Sequence, residues 1–153
     1  MMVPRRRGKI ATATPPLVRP TFEFQVRGPP ISAQAKNKQV LGEWKARVAA
    51  AARDAWPDGT GPMVGDVEVH ISEFSEFATR DRDNMAKPML DAMQGLVYGN
   101  DRQVKALRVE WCDIDGAYVV RRMSPVVAAA LSAGHEFLWV RVSVHAPRED
   151  LIR

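Results

Sequence analysis

Residues 79–104 read TRDRDNMAKPMLDAMQGLVYGNDRQV, and this stretch decides the fold because it predicts a helix between two strands. Its apolar residues recur at the helical period and form one stripe: Met85, Met89, Ala92, Met93 and Leu96. The opposite face carries polar residues: Asn84, Lys87, Asp91 and Gln94. After a turn, the alternating pattern from Val104 to Asp113 predicts a strand. Lys87 is therefore expected to face away from the core.

The start of this helix has two interpretations. Asp83 or Asn84 is a natural N-cap, because a short polar side chain accepts hydrogen bonds from the first free backbone N–H groups. In a helix that starts at Asp83, Pro88 lies just past the first turn, removes the hydrogen bond to the Asn84 carbonyl and kinks or delays the helix. In the alternative, the helix begins at Lys87 with Pro88 at its first position.

The polar residues of this stretch have the chemistry of a nuclease site. Carboxylate oxygens bind Mg²⁺, the cation polarises a phosphate and activates water, and a fixed lysine stabilises the charge that develops on the phosphate oxygens. Asp81 and Asp83 are two apart, so their carboxylates point the same way in an extended segment. Lys87 follows on the helix, and Asp101 ends the loop before the next strand. We expect the strand end, the helix start and the returning loop to converge on one site.

Plainer interpretations of the same residues exist. Pairs of the form Asp-x-Asp are common in solvated turns, and Lys87 and Asp91 stand at the spacing of an exposed helical ion pair. Asp113 and Asp115 repeat the Asp-x-Asp spacing, but Asp115-Gly116 predicts a turn, and no Asn, Lys or helix follows. The earlier pair is the better candidate, because Asn84, Lys87 and Asp101 follow it and each can have its own role in a phosphodiester site.

The stretch resembles the RusA-type Holliday junction resolvases. The shared pattern is Asp-x-Asp-Asn-x-x-Lys, an apolar helix, and a loop that ends in Asp before a strand. The residues that match are Asp81, Asp83, Asn84, Lys87, Asp91 and Asp101, and Arg80 and Val104 also fit. Upstream, the segment 22–32 has the family's order of a strand, a Pro-rich turn and a Ser. Asn100 stands where some members carry a second acid.

The resemblance implies a Mg²⁺-dependent endonuclease, with Mn²⁺ as the alternative ion, that binds a four-way DNA junction as a homodimer and nicks two opposed strands. It implies that three acids hold the metal and the attacking water: Asp81, Asp83 and Asp101. Lys87 would stabilise the transition state, Asn84 would orient an acid or contact phosphate, and Asp91 would orient Lys87. Two alternatives stay open: a nuclease for flaps, forks or other branches, and a catalytically weak junction-binding protein.

Composition and charge set wider limits. The chain has 153 residues, 46% of them hydrophobic, which suits one domain, predicted at 21–147 with a C-terminal tail at 148–153. A net charge of +4 favours a polyanionic partner. The basic residues predicted to contact DNA are Arg5, Arg6, Arg7, Lys36, Lys38, Arg80 and Arg82. Residues 1–20 predict a mobile basic arm that either binds phosphates or is a solvated tail, and Lys36 and Lys38 also fit an ordinary solvated helix face.

The remaining patterns complete an α/β prediction, a small mixed β-sheet of about four strands with two to three helices packed against it. A helix with one apolar face is predicted at about 34–56, and Ser124-Pro125 is predicted to cap a short apolar helix that ends before Gly134. The first face consists of Leu41, Trp44, Val48, Ala52 and Ala55. Candidate dimer surfaces are Val126 to Leu131 and the Trp139 side of the last strand, where core packing is the alternative. Cys112 and the three histidines suit no disulfide or zinc site. The chain is expected to be cytoplasmic, with no membrane span, encoded by a bacterium or a phage and associated with the nucleoid.

Overall fold

The structure, a computed structural model, describes residues 21–78, 81–119 and 121–147. Its elements in chain order are β1 (Thr21–Arg27), α1 (Lys38–Ala55), β2 (Val67–Ser75), α2 (Arg82–Met93), the short 3₁₀ helix Asp101–Gln103, β3 (Val104–Asp113), α3 (Pro125–Ala133) and β4 (Phe137–Val144). The predicted mixed sheet of about four strands with two to three helices is confirmed. The predicted arm and tail lie outside the described residues.

The four strands form one mixed sheet in the order β1-β4-β2-β3. β4 runs antiparallel to both of its neighbours, whereas β2 and β3 are parallel, with Val67 beside Val104 and Ser75 beside Asp113. Parallel neighbours need a crossover connection, and α2 supplies it. The end of β2 and the start of β3 therefore lie at opposite ends of the sheet.

The main core lies between one face of the sheet and the helices α1 and α2. Met85, Met89 and Met93 of the predicted stripe are fully buried, while Ala92 and Leu96 pack at its margin. On α1 the predicted face is buried except for Ala55, which is exposed. At this end of the helix Trp56 packs against the core in place of Ala55, with its ring 4.5 Å from that of Phe22. The prediction for Ala55 was therefore wrong.

The first helix is also shorter at its start than predicted. Asn37 accepts hydrogen bonds from the backbone N–H groups of Gln39 and Val40, so the helix begins at Lys38 rather than near residue 34. Lys36 therefore lies in the loop before α1, and Lys38 is the first residue of the helix.

Pro88 lies inside α2, which starts at Arg82 with Asp81 as its N-cap residue. Neither predicted start was right. The Asn84 carbonyl, which receives no hydrogen bond from Pro88, accepts one from the Ala33 N–H at 2.8 Å. A loop contact thus replaces the missing helical bond and lets the helix continue through the proline.

α3 packs on the other face of the sheet. Its caps agree with the prediction, since Ser124 accepts from the Val126 N–H and Gly134 ends the helix with φ of 73°. Val127 and Ala130 are buried against Phe74 and Phe137. That part of the proposed dimer surface is therefore core. In the described part of the chain, no helix is long and apolar enough to cross a membrane.

Candidate active site

The two aspartates of the first pair flank the start of α2. Asp81 has extended backbone angles (φ −63°, ψ 133°) and its side chain does not cap the helix, whereas Asp83 lies in the first helical turn. Both are exposed. The pair therefore does not lie in one extended segment, as the sequence predicted, because Asp83 is already helical. The nearest polar neighbour of the Asp81 carboxylate is the Asn84 amide, with Nδ2 3.5 Å from Oδ2.

Arg82, between the two aspartates, points into the molecule. Its Nη1 lies 2.8 Å from Oε2 of Glu73, a strand residue whose side chain is only 3% exposed. The guanidinium, which was predicted to contact DNA, is therefore engaged by a buried carboxylate. Arg80, the other basic residue of this segment with that prediction, lies outside the described residues.

Lys87 lies one turn further along α2 and is 70% exposed. Its Nζ is 3.7 Å from Oδ1 of Asp91, the i,i+4 pair that the sequence predicted. The other oxygen of Asp91 lies 3.5 Å from Nζ of Lys45 on α1. Asp91 therefore joins two lysines from two helices.

Asp101 begins the 3₁₀ helix that precedes β3, and its position is fixed by its neighbours. The Asn100 side chain accepts from the Arg102 N–H at 2.9 Å, so this residue caps the 3₁₀ helix. The Gln103 side chain donates to the carbonyls of Met63 and Gly65 at 2.9 and 2.8 Å. Asp101 itself is exposed.

The acids lie at two ends of α2 rather than at one. Arg82 contacts Glu73 near the end of β2, which places the start of the helix there. Asp101 precedes Val104, which pairs with Val67 at the start of β2. Tyr98 marks this second end: its hydroxyl donates to the Leu90 carbonyl at 2.7 Å. Burial raises the pKa of Tyr98, and the negative charges of Asp91 and Asp101 raise it further. The expected convergence of all three acids does not occur within one chain, because a crossover helix spans the length between them.

The donor chemistry of the three aspartates fits a hard divalent cation, because exposed carboxylate oxygens are the ligands such ions prefer. Across residues 21–78, 81–119 and 121–147, no three acidic, histidine or cysteine side chains lie close enough to hold a metal. The three aspartates thus fit a divalent cation by the type of ligand they offer. Their side chains do not meet within one chain because they lie at opposite ends of α2.

Sequence reasoning missed two charged residues near the site, Glu73 and Lys45. Glu73 continues the inward alternation of Val67, Val69 and Ile71 along β2, so a buried carboxylate was predictable from the pattern. Lys45 gave no such signal, because its partner Asp91 depends on how α1 packs against α2.

A second polar cluster lies on the opposite face of the sheet. His70 is 2.8 Å from Glu110 and also contacts Arg141, and Ser72 donates to the same Glu110 carboxylate at 2.9 Å. Burial lowers the pKa of His70, and the positive charge of Arg141 lowers it further. These groups contact one another across β2, β3 and β4.

Comparison with known families gives one match. A family model described as "Endodeoxyribonuclease RusA" matches residues 15–121 of the chain. The matched segment contains β1 to β3 and every acid discussed above, and it ends before α3 and β4. No curated protein matches the chain.

Proposed function

We propose, because this chain belongs to the endodeoxyribonuclease RusA family, that it resolves four-way DNA junctions by paired, Mg²⁺-dependent nicks. Members of this family are endonucleases that act on Holliday junctions in DNA recombination. We assign the catalytic domain to residues 21–147 and its place of action to the cytoplasm, where branched DNA arises in recombination and repair. The basic arm at 1–20 would add affinity for phosphates that does not depend on sequence.

The observation that carries this proposal is the state of three acids in the matched segment. Asp81, Asp83 and Asp101 are all exposed, and none forms an ion pair with another residue in the described part of the chain. By contrast, Glu73 and Asp91 are both engaged by cations. Carboxylates that no cationic side chain neutralises are available to bind a divalent ion.

Asp81, Asp83 and Asp101 would hold Mg²⁺, and Mn²⁺ would also be accepted. When bound, the ion neutralises charge on the phosphate and lowers the pKa of a water molecule. Lys87 projects into solvent with Asp91 beside it, so its ammonium group can meet a phosphate oxygen and stabilise developing negative charge. Asn84 keeps the Asp81 carboxylate oriented through its amide.

Further positive charge stands at the same end of the molecule. The hydrogen bond from Ala33 to Asn84 holds the loop before α1 against the first turn of α2. Lys36 and Lys38 follow in this segment and are both exposed. They would bind backbone phosphates beside the cut strand, since such contacts position DNA without reading its sequence.

A homodimer follows from the separation of the acids. α2 has 12 residues, so it spans about 18 Å at the usual helical rise. Asp81 and Asp83 lie at its start, while Asp101 lies beyond its other end. A two-fold axis that places two chains antiparallel brings the start of α2 in one subunit to the Asp101 end of its partner. Two complete sites then form, one for each opposed strand of a junction.

The outer edge of β3 is the surface that suits this pairing. β3 is an edge strand of the sheet, and Leu107 and Trp111 on it remain 45% and 38% exposed. An edge strand offers unpaired backbone groups to another strand, and its two-fold partner would be a second β3 running antiparallel. That arrangement puts Asp101 of one chain at the Asp113 end of the other, where α2 begins.

Cleavage of a labelled four-way junction tests the function. Wild-type protein should nick two opposed strands when Mg²⁺ is present, and it should leave linear duplex and metal-free junction intact. Binding without cleavage in either Mg²⁺ or Mn²⁺ would leave a junction-binding protein. Equal cleavage of flaps and forks would assign a broader branched-DNA nuclease.

Mixed dimers test the shared site. Asp83→Asn and Asp101→Asn are each expected to be inactive alone. In a mixed dimer with shared sites, one site collects both defects and the other has neither, so co-expressed chains should nick one strand per junction. If each chain carried a whole site, every site in the mixture would have one defect, and no cleavage would return.

A further inference from the structure

Glu73 is a carboxylate on the inward face of β2. The residues that share its inward alternation on β2 are Val67, Val69 and Ile71, and Glu73 itself is 2% exposed. Removing a charge from water is unfavourable unless the charge is paired and hydrogen-bonded. The chain nevertheless places an acid here, two residues from the end of the strand.

The contacts of this carboxylate join three elements. Oε2 lies 2.8 Å from Nη1 of Arg82 on α2, and Oε1 lies 3.3 Å from the Ser75 hydroxyl on β2. The same hydroxyl accepts a hydrogen bond from the Trp111 indole on β3 at 3.0 Å. The first residue of α2 is thus tied to the ends of two strands.

Arg82 stands between Asp81 and Asp83, so whatever fixes Arg82 also fixes its neighbours. The planar guanidinium has a rigid donor fork, and its engagement with Glu73 sets the height and the rotation of the first turn against the sheet. With Arg82 directed inward, the two flanking aspartates are left exposed on the outside of the turn.

We propose that the Glu73–Arg82 ion pair is a positioning device for the metal-binding carboxylates, which holds Asp81 and Asp83 in the arrangement that binds the divalent ion. Neither residue touches the ion or the DNA. The inference rests on the proposed function of the site. It also gives a reason for this partly buried pair other than stability, since well-packed apolar residues are often as stable as an ion pair removed from water.

A double-mutant cycle separates positioning from stability. Glu73→Met or Arg82→Met alone leaves an uncompensated charge and should lower the midpoint of urea unfolding. The double variant replaces both charges with apolar side chains and should recover that midpoint. Mn²⁺ binding, followed by electron paramagnetic resonance, should stay weakened by about 10- to 100-fold in the double variant, as expected for residues that orient metal ligands. Cleavage should lose kcat, with KM for the junction unchanged.

Arg82→Lys covers the case in which the double variant does not fold. Lysine keeps the charge opposite Glu73 but lacks the fork of donors, so the variant should fold and bind Mn²⁺ more weakly than wild type. Arg53→Met is the matched control, because it removes an exposed arginine from the last turn of α1, away from the site and from the edge of β3, and should change neither measurement. Wild-type Mn²⁺ affinity in the double variant, or in Arg82→Lys where the double variant does not fold, would overturn positioning. Absence of metal-dependent cleavage in the wild type would instead overturn the proposed function.

Discussion

Two segments of this chain have the pattern Asp-x-Asp, and the fold treats them differently. In Asp113-Ile114-Asp115, at the end of β3, Oδ1 of Asp113 accepts from the Asp115 N–H at 3.0 Å. The Asp113 carbonyl accepts from the Gly116 N–H, which closes a turn. In the segment 81–83, by contrast, the Asp81 side chain makes no cap hydrogen bond.

The middle residues of the two Asp-x-Asp segments also differ in their contacts. Ile114 packs against the small core under α3, whereas Arg82 enters an ion pair with buried Glu73. The spacing of two acids therefore does not identify a site. What differs is whether a carboxylate is occupied by its own backbone, as in a turn, or is left free while another group anchors the segment.

The largest expected effect is on cleavage by the matched variants Asp83→Asn and Asp113→Asn. Loss of a metal-binding carboxylate should reduce the rate of junction cleavage by about a thousandfold, corresponding to several kcal/mol of transition-state stabilisation. Asp113→Asn keeps an oxygen that can accept the turn hydrogen bond, so its rate should equal that of the wild type. Single-turnover rates measure both, and equal losses in the two variants would contradict the distinction.

Lys87 offers a second comparison. It stands as far after Asp81 as Val119 stands after Asp113, and Val119 is an apolar residue that is 87% exposed. Lys87→Met should lower the cleavage rate by about a hundredfold, as for removal of one group that stabilises transition-state charge. Binding of the uncut junction should change little. Lys45→Met, which removes the other lysine beside Asp91, should cause a smaller loss. A full rate in Lys87→Met would leave its pair with Asp91 as a surface contact only.

Much of the architecture was predictable because local pattern and tertiary packing agree. The stripe of Met85, Met89 and Met93 forms the buried face of α2. Ser124 and Gly134 cap the two ends of α3, as their side-chain and backbone chemistry predicts. Such signals depend on neighbours within a few residues, which a sequence shows directly.

The missed features depend on distant partners. Pro88 is tolerated within α2 because the Ala33 N–H reaches the Asn84 carbonyl, a contact that needs the loop before α1 in place. Asp101 was expected beside the first two acids, but the parallel pairing of β2 and β3 places it at the other end of the sheet. The hydrophobic period of a sequence does not determine the order of strands in a sheet. The separation of Asp101 from the first two acids could therefore not be predicted from their spacing in the sequence.

The effect of Mg²⁺ on the free energy of unfolding compares the two Asp-x-Asp segments without a cleavage assay. Mg²⁺ that binds only the folded protein should raise the free energy of unfolding by about 1.4 kcal/mol at ten times its dissociation constant. The increase should disappear in Asp83→Asn and with excess chelator, and it should persist in Asp113→Asn. Urea unfolding with and without Mg²⁺ measures it. An increase retained in Asp83→Asn would place the bound ion elsewhere.

The smallest expected effect is on stability, where the substitution at Asp113 should cost more than the substitution at Asp81. Asp113→Ala removes the side-chain oxygen that accepts from the Asp115 N–H and should cost about 1 kcal/mol of unfolding free energy. Asp81→Ala removes no cap hydrogen bond, so its cost should stay within about 0.5 kcal/mol, as for a surface substitution. Urea unfolding in the absence of metal compares them. Cleavage should respond in the opposite sense, because the carboxylate that contributes least to folding is the one available to bind the ion. A larger stability loss in Asp81→Ala than in Asp113→Ala would show that the first carboxylate, too, serves its own backbone.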